Sequence, residues 1–148
     1  MATFRHGKGQ YFQLDNSSGT LVDISNVLNN VSFPKSIDTG EVTAFGANSK
    51  SYIVGLQDAT LSIEGSYDAT VDTQITALID ALSAGTKSGT VPTETASWVY
   101  GPEGSATGRI KYSGEAILSS YEVSAPVGDV VTFKAQLQAS GAVTRGTF

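Results

Sequence analysis

VVTFKAQLQASGAVTRGTF, residues 130–148, is the stretch that decides the fold class. From Val131 to Ala139 every second residue is apolar and the residues between them are polar, a period of two that predicts a strand with one buried face. The tail after Gly141 carries one charged side chain, Arg145, and ends on the ring of Phe148. It has no helical periodicity, so we expect it to dock on its own domain or on a neighbouring molecule.

Similar alternation elsewhere predicts a mainly β protein. The other predicted strands lie at residues 11–14, 20–24, 31–37, 58–67, 95–100, 109–113 and 116–125. The first two flank DNSSG (residues 15–19), which suits a tight turn. Pro34 lacks a ladder donor and therefore predicts an edge or bulged strand. In the stretch 116–125 the alternation places Ile117, Tyr121 and Val123 on one face.

One amphipathic helix is predicted at residues 71–84. Its apolar stripe comprises Val71, Ile75, Leu78, Ile79 and Leu82. Asp68 or Asp72 is positioned as the N-cap, and Gly85 stands at the C-terminal stop. Ser25 predicts the start of a second, short helix that ends at the Asn29–Asn30 pair.

The segment DTGEVTAFGANSKSYIVGLQDA, residues 38–59, is the least regular part of the chain. Glycines and small polar residues interrupt it, which predicts a long irregular loop. Its apolar residues are too many for a freely solvated linker, and long loops of this kind are usually functional.

Composition limits the possible functions. At 148 residues we expect a single domain, residues 1–148. No apolar run long enough to span a membrane and no export signal is visible, so synthesis in the cytoplasm is expected, with no membrane partner. The net charge of −5 argues against nucleic-acid affinity. Charged residues make up 16% of the chain, against about 25% in ordinary domains, which suggests a surface that other molecules cover.

Residues for catalysis or metal binding are scarce. The chain has no Cys and one His, His6, so we predict no catalytic residue, no metal site and no cofactor, and we do not expect an enzyme. Ser32 and Lys35 match the S-x-x-K motif, but Ser32 falls in a predicted strand where that chemistry needs a helix start. Trp98, Tyr100 and Tyr112 offer one alternative, a platform on which a sugar ring stacks.

These features together resemble the major tail tube proteins of long-tailed phages with non-contractile tails. The resemblance covers nearly the whole chain, and its sharpest points are KSYIVGLQDATLSIEGSYD (residues 50–68) and the closing strand FKAQLQASG leading to AVTRGT. It implies packed, largely antiparallel β-sheets, of sandwich or barrel type, flanked by one amphipathic helix and a long irregular loop. Some members add a C-terminal immunoglobulin-like domain, which we do not expect here.

The resemblance also implies a function. Subunits of such proteins join into rings, usually of six, and the rings stack into a hollow tube through which the genome is delivered. The expected partners are further copies of the chain and other tail proteins, namely the tape measure, the terminator and the tip or baseplate. DNA would pass through the lumen without specific binding, and the protein would reside in the virion tail after synthesis in the bacterial host's cytoplasm.

Three groups of residues are predicted to carry this role, and all three rest on the resemblance. The loop at residues 38–55 is predicted to contact the adjacent ring, through Val42, Phe45, Lys50, Tyr52 and Ile53. The two ends of the chain are predicted to tie neighbouring subunits together, through Phe4, Arg5, Lys8, Val143, Arg145 and Phe148. The acidic residues Asp58, Glu64 and Glu122 are predicted to line the lumen and to repel phosphates.

One cation and one alternative function stay open. Lys134 is expected on the same face as the lumen carboxylates, where it would pair with one of them. A monomeric β-sandwich that binds carbohydrate through Trp98 is the alternative to the tube subunit.

Overall fold

The computed structural model describes residues 4–85 and 95–148, and these residues form eight strands and one α-helix. The strands are β1 (Tyr11–Asp15), β2 (Leu21–Asp23), β3 (Leu28–Ser32), β4 (Lys35–Glu41), β5 (Tyr52–Ser66), β6 (Ala96–Gly101), β7 (Ile110–Ser124) and β8 (Thr132–Thr147). The helix, α1, runs from Ala69 to Ala84. The predicted mainly β fold with one helix is therefore confirmed.

All strands belong to one antiparallel sheet. Its order is β2-β1-β6-β7-β8-β5-β3, and β4 pairs with β5 on the same side as β3. The backbone N–H of Ile24 donates to Phe12 in β1, while Leu28 pairs with Gly65 in β5. The four residue steps from Ile24 to Leu28 reach about 14 Å, whereas β1 and β3 would lie about 24 Å apart in a flat sheet. The sheet therefore curls until its two ends approach each other.

The curled sheet encloses one hydrophobic core. Alternate residues of β1, β5, β6, β7 and β8 point inward, among them Leu14, Leu61, Trp98, Phe133 and Leu137. Helix α1 adds its apolar stripe to the same core, with Val71, Ile75 and Leu78 buried. This burial is what holds the helix on the sheet, because its own propensity contributes little.

The ends of α1 agree with the sequence prediction. The Asp68 carboxylate accepts hydrogen bonds from the backbone N–H groups of Thr70 and Val71, at 2.7 and 3.4 Å. Gly85 ends the helix in the left-handed conformation, with φ of 69°. Both features satisfy backbone groups that the helix termini leave unpaired.

The predicted second helix at Ser25 is wrong beyond its first turn. Residues Ser25–Val27 form a single 3₁₀ turn, and the Asn29–Asn30 pair lies within strand β3. The chain leaves the turn because the edge of β5 offers pairing from Gly65 onward. A Cβ on Gly65 would collide with the carbonyl oxygen of Val27, so glycine is what permits this approach.

The two strands predicted at residues 109–113 and 116–125 form the single strand β7. It carries bulges between Ser113 and Glu115 and between Leu118 and Ser120. The second bulge reverses the alternation, so Ile117 lies on the face opposite to Tyr121. The prediction that these two residues share a face is wrong for this reason.

The closing tail continues strand β8 up to Thr147 and pairs with β7 along its length. Phe148 exchanges backbone hydrogen bonds with Arg109 and Gly108, at 3.0 and 2.9 Å. The tail was expected to dock either on its own domain or on a neighbouring molecule, and it docks on its own domain.

The irregular loop predicted at residues 38–59 is shorter than expected, because only residues 42–51 lie outside strands. Residues 38–41 complete β4 and residues 52–59 begin β5, and the two strands form a ladder from Lys35–Ala59 to Glu41–Tyr52. Glycines do not break this ladder, because Gly40 pairs opposite Ile53 within it.

Candidate assembly surfaces

The hairpin of β4 and the first half of β5 projects from the body of the molecule, and we call residues 35–58 the arm. The first seven residues of β5 are all exposed, whereas the alternation of buried residues starts at Ala59. Apolar residues on the arm are nevertheless numerous. Those with large exposed side chains are Ile37, Val42, Phe45, Tyr52, Ile53, Val54 and Leu56.

Hydrogen bonds and a bulge shape the arm. At its base end, Gly55 and Leu56 together oppose Asp38, and a Cβ on Gly55 would lie 3.0 Å from the Asp38 carbonyl oxygen. At its tip, Val42 N–H donates to the Ser51 carbonyl at 2.8 Å. The arm is therefore an ordered hairpin that lacks a core of its own.

All five residues predicted for the inter-ring contact lie on the arm and are exposed: Val42, Phe45, Lys50, Tyr52 and Ile53. The prediction missed Val54 and Leu56, whose side chains are 76% and 80% exposed. Three apolar residues in the run IVGL would have signalled them, because a solvated strand has no reason to carry apolar residues on both faces.

The three acidic residues predicted for the lumen lie on one face of the sheet, which we call the polar face. Asp58 and Glu64 point outward from β5, and Glu122 belongs to the same face because it pairs with Lys134, the direct partner of Glu64. The remaining polar-face residues on β5, β7 and β8 include Thr60, Ser62, Ser66, Ser120, Ser124, Thr132, Gln136 and Gln138.

Lys134 sits between two carboxylates in one cross-strand row. Its Nζ lies 3.2 Å from Glu64 Oε1, and both side chains are substantially exposed. The expected pairing of Lys134 with one of the carboxylates is thus present. Asp58 accepts a hydrogen bond from Gln138 Nε2 at 2.7 Å. Glu115 and Lys111 of β7 lie on the same face and offset each other, so the three carboxylates and Lys134 leave the polar face net negative.

The N-terminal residues form a short basic segment. Phe4 and Lys8 are exposed, and Arg5 Nε lies 3.5 Å from Glu103 Oε1. His6 Nδ1 accepts a hydrogen bond from the backbone N–H of Lys8 at 3.1 Å, which closes the 3₁₀ turn Gly7–Gly9. The contact between Arg5 and Glu103 attaches this segment to the turn that precedes β7.

The C-terminal residues lie close to that segment. Phe148 packs edge-on against Tyr11, with ring centroids 5.6 Å apart, and Lys111 Nζ lies 5.4 Å from the Phe148 centroid. Val143 is half-buried and Arg145 is exposed on β8. Of the six residues predicted to tie subunits together, Arg5, Val143 and Phe148 have contacts within the chain, whereas Phe4, Lys8 and Arg145 are exposed.

The aromatic platform proposed for sugar binding is not available. Trp98 is 0% exposed and Tyr100 is buried, because Phe33 covers them with its centroid 5.4 Å from that of Trp98. Burial, followed by the neighbouring Tyr112, raises the pKa of Tyr100. The prediction that these rings could stack on a carbohydrate fails, because they belong to the core.

Other kinds of site find little support in residues 4–85 and 95–148. Among these residues no cluster of three or more His, Cys, Asp or Glu side chains is placed to hold a metal ion. Helix α1 is also too short to cross a membrane, and it is the only α-helix in these two ranges.

Comparison with known proteins identifies the fold. No protein-family model matches the chain, and no curated protein matches it in sequence. Solved structures do match over almost the whole chain. The tail of an empty gene transfer agent particle, refined with C6 symmetry, is 16% identical with a TM-score of 0.71, covering 97% of this chain and 100% of the other.

Two further structures agree. The SPP1 tail tube is 12% identical with a TM-score of 0.68, and the match covers 97% of this chain and 80% of the SPP1 chain. A chain of the anti-feeding prophage baseplate is 12% identical with a TM-score of 0.69, covering 99% of this chain and 98% of that one. The chain therefore has the fold of tail tube proteins.

Proposed function

We propose that this protein is a structural subunit whose copies form rings, of six subunits, that stack into a hollow tail tube. The fold is shared with tail structures along nearly the full length of the chain. The role is structural and not enzymatic, and its principal partner is a further copy of the same chain. In a virion, other tail proteins would begin and end the tube.

The arm carries this proposal. It presents seven large apolar side chains to solvent, and nothing in the described part of the chain covers them. A monomer gains no stability from such residues and risks aggregation through them. Contact with a neighbouring copy in the next ring would bury them, and the hydrophobic effect would then drive assembly.

The curled sheet supports the ring. Strands β2 and β3 are the ends of the sheet order, so their outer edges have no strand partner among the described residues. A head-to-tail contact between different edges closes into a ring when the rotation between copies permits. Residues of the two chain ends, including Phe4, Lys8 and Arg145, are proposed to lie at these lateral contacts.

The polar face supports the passage of DNA. Its net negative charge would repel phosphates, and its Ser, Thr and Gln side chains offer no cluster of cations that could retain a duplex. We place Asp58, Glu64 and Glu122 on the lumen wall, so that the genome slides through without binding.

The test is the assembly state of the untagged protein. The chain is concentrated and observed by size-exclusion chromatography and negative-stain electron microscopy. Hollow rings or tubes with a central channel are expected. A protein that stays monomeric at the highest soluble concentration, with and without crowding agents, would contradict the proposed function.

A further inference from the structure

Two β-turns at opposite ends of the molecule present an apolar residue in the same way. In the arm, Ala47 N–H donates to the Ala44 carbonyl, so Phe45 and Gly46 are the central residues, and Gly46 has φ of 83°. In the turn between β7 and β8, Asp129 N–H donates to the Pro126 carbonyl, Val127 and Gly128 are central, and Gly128 has φ of 84°. A glycine in this conformation at the third position is typical of a type II turn.

Each turn leaves its second residue at the apex, away from the body. Phe45 and Val127 are both fully exposed. The folding of the turns requires the glycines, but it does not require an apolar residue beside them. The apolar side chains therefore call for an explanation outside the fold of a single chain.

The Val127 turn belongs to a second exposed apolar surface, which we call the valine surface. Its members come from the ends of β5 and β7 and from the turn that follows β7: Tyr67, Val123, Val127, Val130 and Val131. A hydrogen bond from Tyr67 N–H to the Val131 carbonyl, 3.0 Å long, joins the two parts.

The arm and the valine surface lie at opposite ends of one strand. Strand β5 runs from Tyr52 in the arm to Ser66, which pairs with Thr132 at the start of β8. Thr132 also pairs with Ser124 at the end of β7, immediately before the valine turn. Copies stacked in the same orientation along the direction of β5 would thus bring the arm of one towards the valine surface of the next.

Charges at the two sites are complementary. Lys50 is an exposed cation near the tip of the arm, and Asp129 is an exposed anion in the valine turn. Neither side chain has an ion-pair partner shown within the described residues. Their opposite signs favour the head-to-tail approach over contact between two arm tips, where one Lys50 would face another.

We infer that the valine surface is the receiving site for the arm tip of a second copy, with Phe45 packing among its apolar side chains and Lys50 near Asp129. This inference rests on the proposed tube and names the contact between its successive rings. The contact is heterologous, so it propagates along the tube without limit.

Disulfide trapping tests the contact, because the chain contains no native Cys. The double variant F45C/V127C is assembled and then oxidised. Each copy carries both halves of the contact, so a ladder of covalent oligomers is expected on a non-reducing gel. The single variants F45C and V127C should give no ladder, and the control pair F45C/S83C, with Ser83 on the exposed side of α1, should also give none.

A charge swap provides a second measurement that keeps Phe45. We expect K50E to reduce tube yield at low salt several-fold and K50E/D129K to restore it. Tubes that form without ladders and without rescue would overturn this inference and leave the proposed function intact. Failure of the wild-type chain to assemble under any condition would overturn both.

Discussion

The Tyr121 hydroxyl donates a hydrogen bond of 2.7 Å to Asp72 Oδ1, and this bond joins strand β7 to the first turn of α1. Burial, and then the bond to Asp72, raise the pKa of Tyr121. A second polar contact joins α1 to the sheet, because Gln74 Nε2 donates to the backbone carbonyls of Leu14 and Asp15 in β1, at 3.0 and 3.3 Å. These directional bonds fix the position of the helix on the sheet in a way that non-directional packing does not.

Replacing Tyr121 by Phe should lower the free energy of unfolding by about 1 kcal/mol, because it deletes one hydrogen bond and keeps the ring. Urea denaturation at neutral pH, followed by the fluorescence of the single buried Trp98, measures this loss. The matched control is Y52F on the exposed arm, which should change stability by less than about 0.5 kcal/mol. Equal effects of the two substitutions would contradict the assigned contact.

The same pair predicts a pH dependence. A tyrosine whose pKa is raised on folding stabilises the protein at pH values below its pKa in the unfolded chain, which is about 10. This stabilisation is lost as the pH rises through the pKa of the folded protein. The stability difference between wild type and Y121F should therefore shrink above pH ~10. Denaturation curves of both proteins at neutral and alkaline pH measure it, and a difference that grows with pH would contradict the shift.

Gly65 predicts a strong steric effect. G65A would place a methyl group against the Val27 carbonyl oxygen and 2.9 Å from Leu28 Cα, both of which are backbone atoms with little freedom to move. We expect a loss of about 3 kcal/mol or a failure to fold, at the upper end of overpacking effects.

The control for this substitution is G146A in strand β8, where an added Cβ has no neighbour within 4 Å. Thermal unfolding followed by circular dichroism compares the two variants with the wild type. A G65A protein as stable as G146A would show that β3 does not approach β5 as closely as described.

Local patterns in the sequence were sufficient for the core elements. The alternation of β8 from Phe133 to Leu137 and the stripe of α1 each follow from one face being buried, and burial leaves a periodic signal. The helix caps at Asp68 and Gly85 could likewise be predicted, because few residue types fit those positions.

The strands of the arm and the end of β8 could not be predicted from the sequence, for the opposite reason. Residues 52–58 and most of residues 140–147 bury neither face, so no alternation marks them as strands. Their strand conformation comes from the ladder with a partner far away in sequence, such as Tyr112 opposite Arg145. The outward position of Ile117 was also hidden, since the bulge after Leu118 sets it.

Polar substitutions on the arm should separate assembly from folding. We expect V54S/L56S to prevent tube formation and to change the free energy of unfolding by less than about 0.5 kcal/mol, because both side chains are mostly exposed in the single chain. Electron microscopy measures assembly and urea denaturation measures stability. The control I117S changes an exposed apolar residue on the polar face and should leave tubes intact.

A V54S/L56S protein that still forms tubes in normal yield would remove the arm from the inter-ring contact. A large loss of stability in the same variant would instead mean that these side chains pack within the single chain, against the exposure described.

The polar face predicts how tubes respond to DNA. In the variant D58N/E64Q/E122Q the side chains keep their shape and Lys134 keeps its charge, while Glu115 and Lys111 on the same face of β7 offset each other, so Lys134 is left unbalanced. If the face lines the lumen, the repulsion of phosphates is replaced by a ring of cations, one from each subunit. We expect tubes of this variant to retain short duplex DNA at low salt and to release it as salt rises, whereas wild-type tubes retain none.

Co-sedimentation of fluorescent DNA with the tubes measures retention. The control D80N removes one carboxylate on α1, away from the polar face, and should behave as the wild type. Adding K134A to the triple variant should abolish retention, because the face is then neutral. Retention by D80N tubes, or none by the triple variant, would place the polar face outside the lumen.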